Sequence, residues 1–90
     1  MSDDRPAYVY MLATCDKGRS KSYVGWTYDP EARLKAHNTG RGAKSTKGRD
    51  WRIIHLETHP GKSEAMSAEW YLKKDKYRRQ KLIAAARKKA

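Results

Sequence analysis

Two tyrosines, an arginine, a histidine and a glutamate are the residues of this chain whose types and spacing suit chemistry. Tyr10 stands in the run Ala-Tyr-Val-Tyr-Met-Leu-Ala-Thr over residues 7–14, and Tyr23 in Ser-Tyr-Val-Gly-Trp-Thr over residues 22–27. Arg33 and His37 are four apart in a helical pattern, so they stack on one side of that helix. Read singly, they are an ordinary surface arginine and histidine. Glu69 follows Ala65 by four positions and precedes Leu72 by three, which puts it on or beside the apolar stripe Ala65, Ala68 and Leu72. A carboxylate on the core side of a helix is costly without a partner, either an arginine or a metal ion.

Set in positive surroundings, these five side chains suit hydrolysis of a phosphodiester. A carboxylate is how a protein holds Mg²⁺, and such a cation neutralises phosphate charge. Arginine supplies a planar cationic donor for the oxygens of the transition state. The attacking water needs a proton acceptor. Tyrosine, with an unperturbed pKa of about 10, serves only if a metal and an arginine lower it; otherwise those charges must act on the water directly.

The elements that must position these groups are legible in outline. The two β-prone runs, separated by a loop over residues 15–21 that contains Gly18, suggest an antiparallel hairpin. Tyr8, Tyr10 and Leu12 share one face of the first strand, and Tyr23, Gly25 and Thr27 one face of the second. If the register aligns those faces, Tyr10 and Tyr23 sit side by side, and Gly25 leaves a gap where a ligand or another backbone approaches. Asp29 is the expected N-cap of the next helix, with Pro30 at N1, Glu31 in the first turn and Gly40 as its stop. Residues 41–50 read as a polar loop, and Trp-Arg-Ile-Ile-His-Leu-Glu-Thr over 51–58 as a third strand. Pro60-Gly61 is a turn, Ser63 is the expected cap of a helix to about Lys73, and Asp75 the cap of a last basic helix. The order β-β-α-β-α-α predicts an α/β fold, a small three-stranded antiparallel sheet flanked by helices. Trp51 and Trp70 read as core residues before base-stacking platforms, Trp26 reads as core on the opposite strand face from Tyr23, and Cys15 reads as an incidental small residue.

Composition bounds the rest. Ninety residues suggest one domain over 1–90, with a core of about 7–83 and a basic helix and tail over 75–90. One cysteine excludes an internal disulfide and a multi-cysteine zinc site. No apolar run approaches the roughly 20 residues of a membrane span, and the acidic start carries no secretory pattern, so a cytoplasmic protein is expected. The net charge of +11 points to a polyanionic partner, with nucleic acid the commonest. That charge is concentrated. Residues 33–52 hold seven basic side chains against Asp50, and residues 73–90 hold nine against Asp75. Gly40, Gly42 and Gly48 lie among the first group, where a glycine-rich basic loop brings backbone N–H groups near phosphate. For the last helix alone, a solvated end that suits the helix dipole is an equal reading.

At this point the sequence resembles the GIY-YIG nuclease family, in its small stand-alone bacterial form. Tyr8-Val9-Tyr10 is similar to the Gly-Ile-Tyr half, with Tyr8 where the family name has glycine, and Tyr23-Val24-Gly25 matches the Tyr-Ile-Gly half. Arg33, His37 and Glu69 fall at the family's spacing, and the resemblance covers about residues 8–83. It implies a metal-dependent endonuclease acting on nucleic acid, DNA before RNA, in repair, recombination or defence. It implies that Tyr10 and Tyr23 line the site, one activating water. Arg33 would bind the scissile phosphate, Glu69 would hold a single divalent cation, Mg²⁺ or Mn²⁺, and His37 would support them. Arg41, Lys44, Lys47, Arg49, Lys73 and Lys74 are the expected backbone-binding cations. The alternative is a non-catalytic basic nucleic-acid-binding module on the same fold. With no element that reads bases, specificity is expected from substrate shape, a homodimer or a protein partner.

Overall fold

The computed structural model describes residues 5–16, 19–42 and 50–89. Its elements run β1 (Ala7–Asp16), β2 (Arg19–Thr27), α1 (Pro30–Asn38), β3 (Arg52–His59), α2 (Lys62–Lys74) and α3 (Lys76–Lys89). The three strands form one antiparallel sheet in the order β2-β1-β3. The predicted architecture is therefore the observed one.

The central place of β1 explains its unbroken apolar run, because both its faces are covered. Ala7, Val9 and Met11 point to one side and join Val24, Ala65 and Leu72, with Trp26, Ile54, Leu82 and Ile83 packed around them. Tyr10 and Leu12 point to the other side and join Trp51, with Tyr23, Leu34 and Ile53 around them. Thus α2 and α3 cover one face of the sheet and α1 covers part of the other.

The hairpin is longer than the sequence predicts. Cys15 pairs with Ser20 and Asp16 with Arg19, where a loop was expected over 15–21. Ladder hydrogen bonds come from the backbone, so polar and charged side chains do not end a strand whose partner is in register.

On the far side of β1, the pairing with β3 shifts register. Met11 faces His55 while Leu12 faces Ile53, leaving Ile54 as the extra residue of a β-bulge. The bulge sends Ile53 to the α1 side and Ile54 to the α2–α3 side. Beyond it His55, Glu57 and His59 oppose Met11, Val9 and Ala7, and so lie on the α2–α3 side. The Glu57 carboxylate accepts from His55 Nε2 at 2.7 Å and His59 Nε2 at 3.0 Å, and from Arg78 of α3 at 2.8 Å. Burial alone would raise Glu57, but these bonds and the Arg78 charge together hold its carboxyl below the ordinary value. This cluster ties α3 to the sheet edge.

The helix ends follow local chemistry, with one correction. Asp29 caps α1, its carboxylate accepting from Ala32 N at 3.2 Å, and Pro30 opens the helix. The helix closes in a Schellman turn: Gly40, at φ 81°, donates to His37 O, and Arg41 donates to Ala36 O at 2.8 Å. Gly61, not Ser63, is the N-cap of α2, and no side chain caps that end. Ser63 is a helical residue one position in. Asp75 caps α3 through Arg78 N at 2.9 Å. Arg79 of α3 donates to Leu72 O at 2.9 Å and also to Lys73 O, so the carbonyls that α2 leaves open are satisfied by the helix that follows. No helix among the described residues is long and apolar enough to cross a membrane.

Candidate active site

Tyr10 is opposite Gly25 in the ladder, and Tyr23 is opposite Leu12. The two tyrosines are diagonal neighbours, with ring centroids 6.2 Å apart, rather than a directly facing pair. Gly25 does leave a gap, but the Tyr10 ring fills it. A Cβ at position 25 would lie 2.5 Å from the Tyr10 hydroxyl and 2.7 Å from Cζ. The glycine thus lets the tyrosine lie flat across β2 and reach α1.

There the Tyr10 hydroxyl meets His37 Nε2 at 3.0 Å. Tyr10 is 1% exposed and His37 0%, so both are closed to substrate. The Tyr23 ring lies 4.8 Å from the His37 ring and is only partly buried. Gly42 packs against the imidazole near Nδ1, where a Cβ would overlap the ring. Gly40 and Gly42, expected to bring backbone near phosphate, therefore serve the turn and the histidine. Gly48 lies outside the described residues.

The electrostatics of the pair are settled by burial. Burial pushes Tyr10 above its ordinary value. The Arg33 hydrogen bond and charge work against that, while Tyr23 and the Glu69 charge add to the rise. Burial, and then the Arg33 charge, push His37 down. Both groups are neutral near pH 7. The expected lowering of a tyrosine by Arg33 does not prevail at Tyr10, because desolvation of a phenolate outweighs one guanidinium.

Arg33, one turn before His37, is half-buried and close enough to act on Tyr10 by hydrogen bonding and charge. Glu69 comes from α2 and acts on Tyr10 through its charge. Its side chain is 19% exposed and pairs with Lys73, one turn on, at 3.4 Å. The partner expected as an arginine or a metal is a lysine, and at such exposure the pair contributes little to stability. The fold therefore gathers Tyr10, Tyr23 and His37 in contact, with Arg33 one turn before His37; Glu69, on α2, acts on Tyr10 only through its charge.

Among the described residues no three His, Cys, Asp or Glu side chains converge as a metal cage. A single carboxylate fits a hard cation that keeps several waters and takes its remaining oxygens from a phosphate; it does not fit a zinc site.

Residues 6–82 match the family model of the GIY-YIG catalytic domain. The chain belongs to the GIY-YIG family. A UPF0213 protein of Clostridium perfringens is 46% identical over 68 residues, covering 74% of this chain and 70% of that one. A UPF0213 protein of Streptococcus sanguinis is 44% identical over 72 residues, covering 79% of each. A solution NMR structure of a UPF0213 protein from Bacillus halodurans is 34% identical, covers 89% of this chain and 84% of that one, and has a TM-score of 0.49. GIY-YIG domains form a nuclease family and generally use a divalent metal.

Of the cations expected to bind backbone, this GIY-YIG domain exposes Arg41, Lys73 and Lys74. Lys44, Lys47, Arg49 and the Cys15 side chain lie outside the described residues. Trp51 is buried in the core on the α1 side, and Trp26 is partly buried against the core on the α2–α3 side. Trp70 is not core: it is 51% exposed on α2.

Sequence reasoning missed Asn38. Its amide donates to Trp51 O at 3.1 Å and accepts from Trp51 N at 2.6 Å, mimicking a neighbouring peptide. That clamp ties the end of α1, one residue past His37, to the start of β3. The available signal was an amide, able to donate and accept at once, in the last turn of a helix that leads into a long loop.

Proposed function

We propose that this GIY-YIG domain is a divalent-metal-dependent endonuclease that hydrolyses phosphodiester bonds in nucleic acid, DNA before RNA. The observation that carries the reading is that a cation, Arg33, and a carboxylate, Glu69, both act electrostatically on the buried Tyr10, which packs with His37 and Tyr23. A module that only binds backbone has no use for a carboxylate beside its phosphate-binding cation.

Glu69 would hold the Mg²⁺ or Mn²⁺, and that cation, when bound, neutralises phosphate charge as a Lewis acid. Arg33 holds the non-bridging oxygens of the scissile phosphate. Tyr23, the more exposed tyrosine, faces the substrate and orients the attacking water. Tyr10 and His37 are positioning residues. The buried hydroxyl, bonded to His37 Nε2, would also accept from Arg33, so one group would position both the guanidinium and the imidazole on which Tyr23 packs. Lys73, paired with Glu69 at 3.4 Å, is exposed with Lys74 and Arg41, and all three would contact the nucleic-acid backbone. A repair, recombination or defence role fits this chemistry.

The test is a cleavage panel of branched, nicked and single-stranded substrates with Mg²⁺ or Mn²⁺. Glu69→Gln and Arg33→Ala are expected to lose cutting by at least about a hundredfold, the scale of a lost transition-state contact, while binding persists. Cutting that continues unchanged in Glu69→Gln removes the metal assignment. Salt-sensitive binding with no cleavage of any substrate supports the non-catalytic module instead.

A further inference from the structure

A domain of ninety residues has few large apolar side chains to spare from its core, yet α2 keeps several outside. Trp70 is 51% exposed, Tyr71 64% and Met66 45%. The Trp70 and Tyr71 rings meet edge to face, with centroids 5.0 Å apart. Lys74 Nζ stands 3.8 Å over the Trp70 ring.

The position of this patch is what gives it meaning. Successive helical residues turn by about 100°. Around α2, the buried stripe of Ala65 and Leu72 is therefore followed by the stripe of Glu69 and Lys73, and then by that of Met66, Trp70 and Lys74. The exposed tryptophan lies directly outboard of the carboxylate assigned to the metal. That outer stripe carries no acid; Glu64 and Asp75 fall on the opposite flank, toward Tyr71.

We propose that Trp70, with Tyr71 and Lys74, is a stacking platform for an unpaired base next to the scissile phosphate, so that the preferred substrate carries a single-stranded segment there: a flap, a gap or a splayed arm. The inference rests on the nuclease reading above for what lies beside it. Every base has a π-face, so an indole receives any of them without reading sequence. The lysine now over the ring is on a flexible stem; it yields the ring to a base and takes the neighbouring phosphate. Charge favours this occupant over a second copy of the chain. A two-fold contact through Trp70 would bring Lys73 and Lys74 against their own counterparts, whereas a nucleic-acid strand meets them with phosphates.

The experiment measures binding by fluorescence anisotropy in EDTA, so that no cleavage intervenes. The probes are a 12-nucleotide oligothymidine, a blunt duplex and a flapped duplex. Trp70→Ala is expected to weaken the single-stranded and flapped probes by about five- to a hundredfold, the range for loss of one stacked base. The blunt duplex changes less than about twofold. Trp70→Phe restores most of the affinity, and Lys74→Ala weakens all three probes and flattens the salt dependence by about one phosphate contact. Equal losses on all three probes in Trp70→Ala, or no loss on any, overturn the platform. So does a dimer in sedimentation that Trp70→Ala converts to monomer with affinities unchanged. A selective loss with no metal-dependent cleavage in the parent protein would leave the platform standing and remove the nuclease reading.

Discussion

Replacing Gly25 with alanine is a one-methyl test of the site's geometry. The backbone at this position imposes no glycine-only conformation: Gly40 is the positive-φ glycine among the described residues. On backbone grounds alone, Gly25→Ala should stabilise by about 0.4–1 kcal/mol. Against this stands a Cβ placed 2.5 Å from the Tyr10 hydroxyl and 2.7 Å from Cζ. The ring has no easy retreat, because Tyr10 is 1% exposed and packed against both Tyr23 and His37. Overpacking costs about 1–3 kcal/mol. If the ring shifts, the 3.0 Å bond to His37 breaks, leaving buried polar atoms unpaired at a further cost of about 1–3 kcal/mol. The net expectation is a loss of about 2–3 kcal/mol, a fall in Tm of roughly 8–24 °C at about 4–8 °C per kcal/mol for a domain of this size. Thermal unfolding of Gly25→Ala, Tyr10→Phe and the double variant measures it. Tyr10→Phe keeps the 2.7 Å contact at Cζ but removes the 2.5 Å contact and the bond to His37 that a ring shift would break, so the alanine should cost less in that background than in the parent. An unchanged or higher Tm for Gly25→Ala, or equal costs in both backgrounds, would refute the reasoning.

Two further outcomes follow from the charged groups. His37 is held below its ordinary value by burial and then by Arg33, so below about pH 6.5 the unfolded chain takes up a proton that the native one refuses. Stability therefore falls as pH drops through that range. Glu57, whose carboxyl is held down, adds stability that is present above its ordinary value of 4.5 and lost as pH falls below it. Urea midpoints should decline in two stages on acidification, and His37→Gln should remove the first; a midpoint flat from pH 7 to 5 would contradict it. Glu57→Gln leaves Arg78 without its carboxylate and sets amide hydrogens against the histidine donors. Since Arg78 is 47% exposed, the cost is only about 1 kcal/mol, and hydrogen exchange should quicken in α3 before β1.

Much of this protein is legible in its amino-acid order because the signals are local. Asp29 and Pro30 start a helix, Gly40 ends it, Asp75 starts another, and these capping bonds need only neighbours in the chain. The β-prone runs around Tyr10 and Tyr23 mark strands for the same reason. Arg33 with His37, and Glu69 beside its stripe, follow from helical spacing. The candidate residues were therefore nameable from local order, and so was the family.

What the chain could not announce depends on register and on which surfaces meet. Gly25 reads as a vacancy in a strand; only the pairing that sets it opposite Tyr10 makes it the seat of a buried ring. Both faces of β1 are apolar, so periodicity alone does not say that Tyr10 turns toward α1 while Val9 and Met11 turn toward α2. Trp70 reads as core by its chemistry, but α2 docks through Ala65 and Leu72, which leaves the indole in solvent. Asn38 and Trp51 are thirteen residues apart and become one clamp only when α1 lies along β3. The sequence determined the elements and the reactive side chains, through bonds between near neighbours. Tertiary packing decided which tyrosine is sealed and which is open, because burial is a property of the folded surface and of no residue by itself.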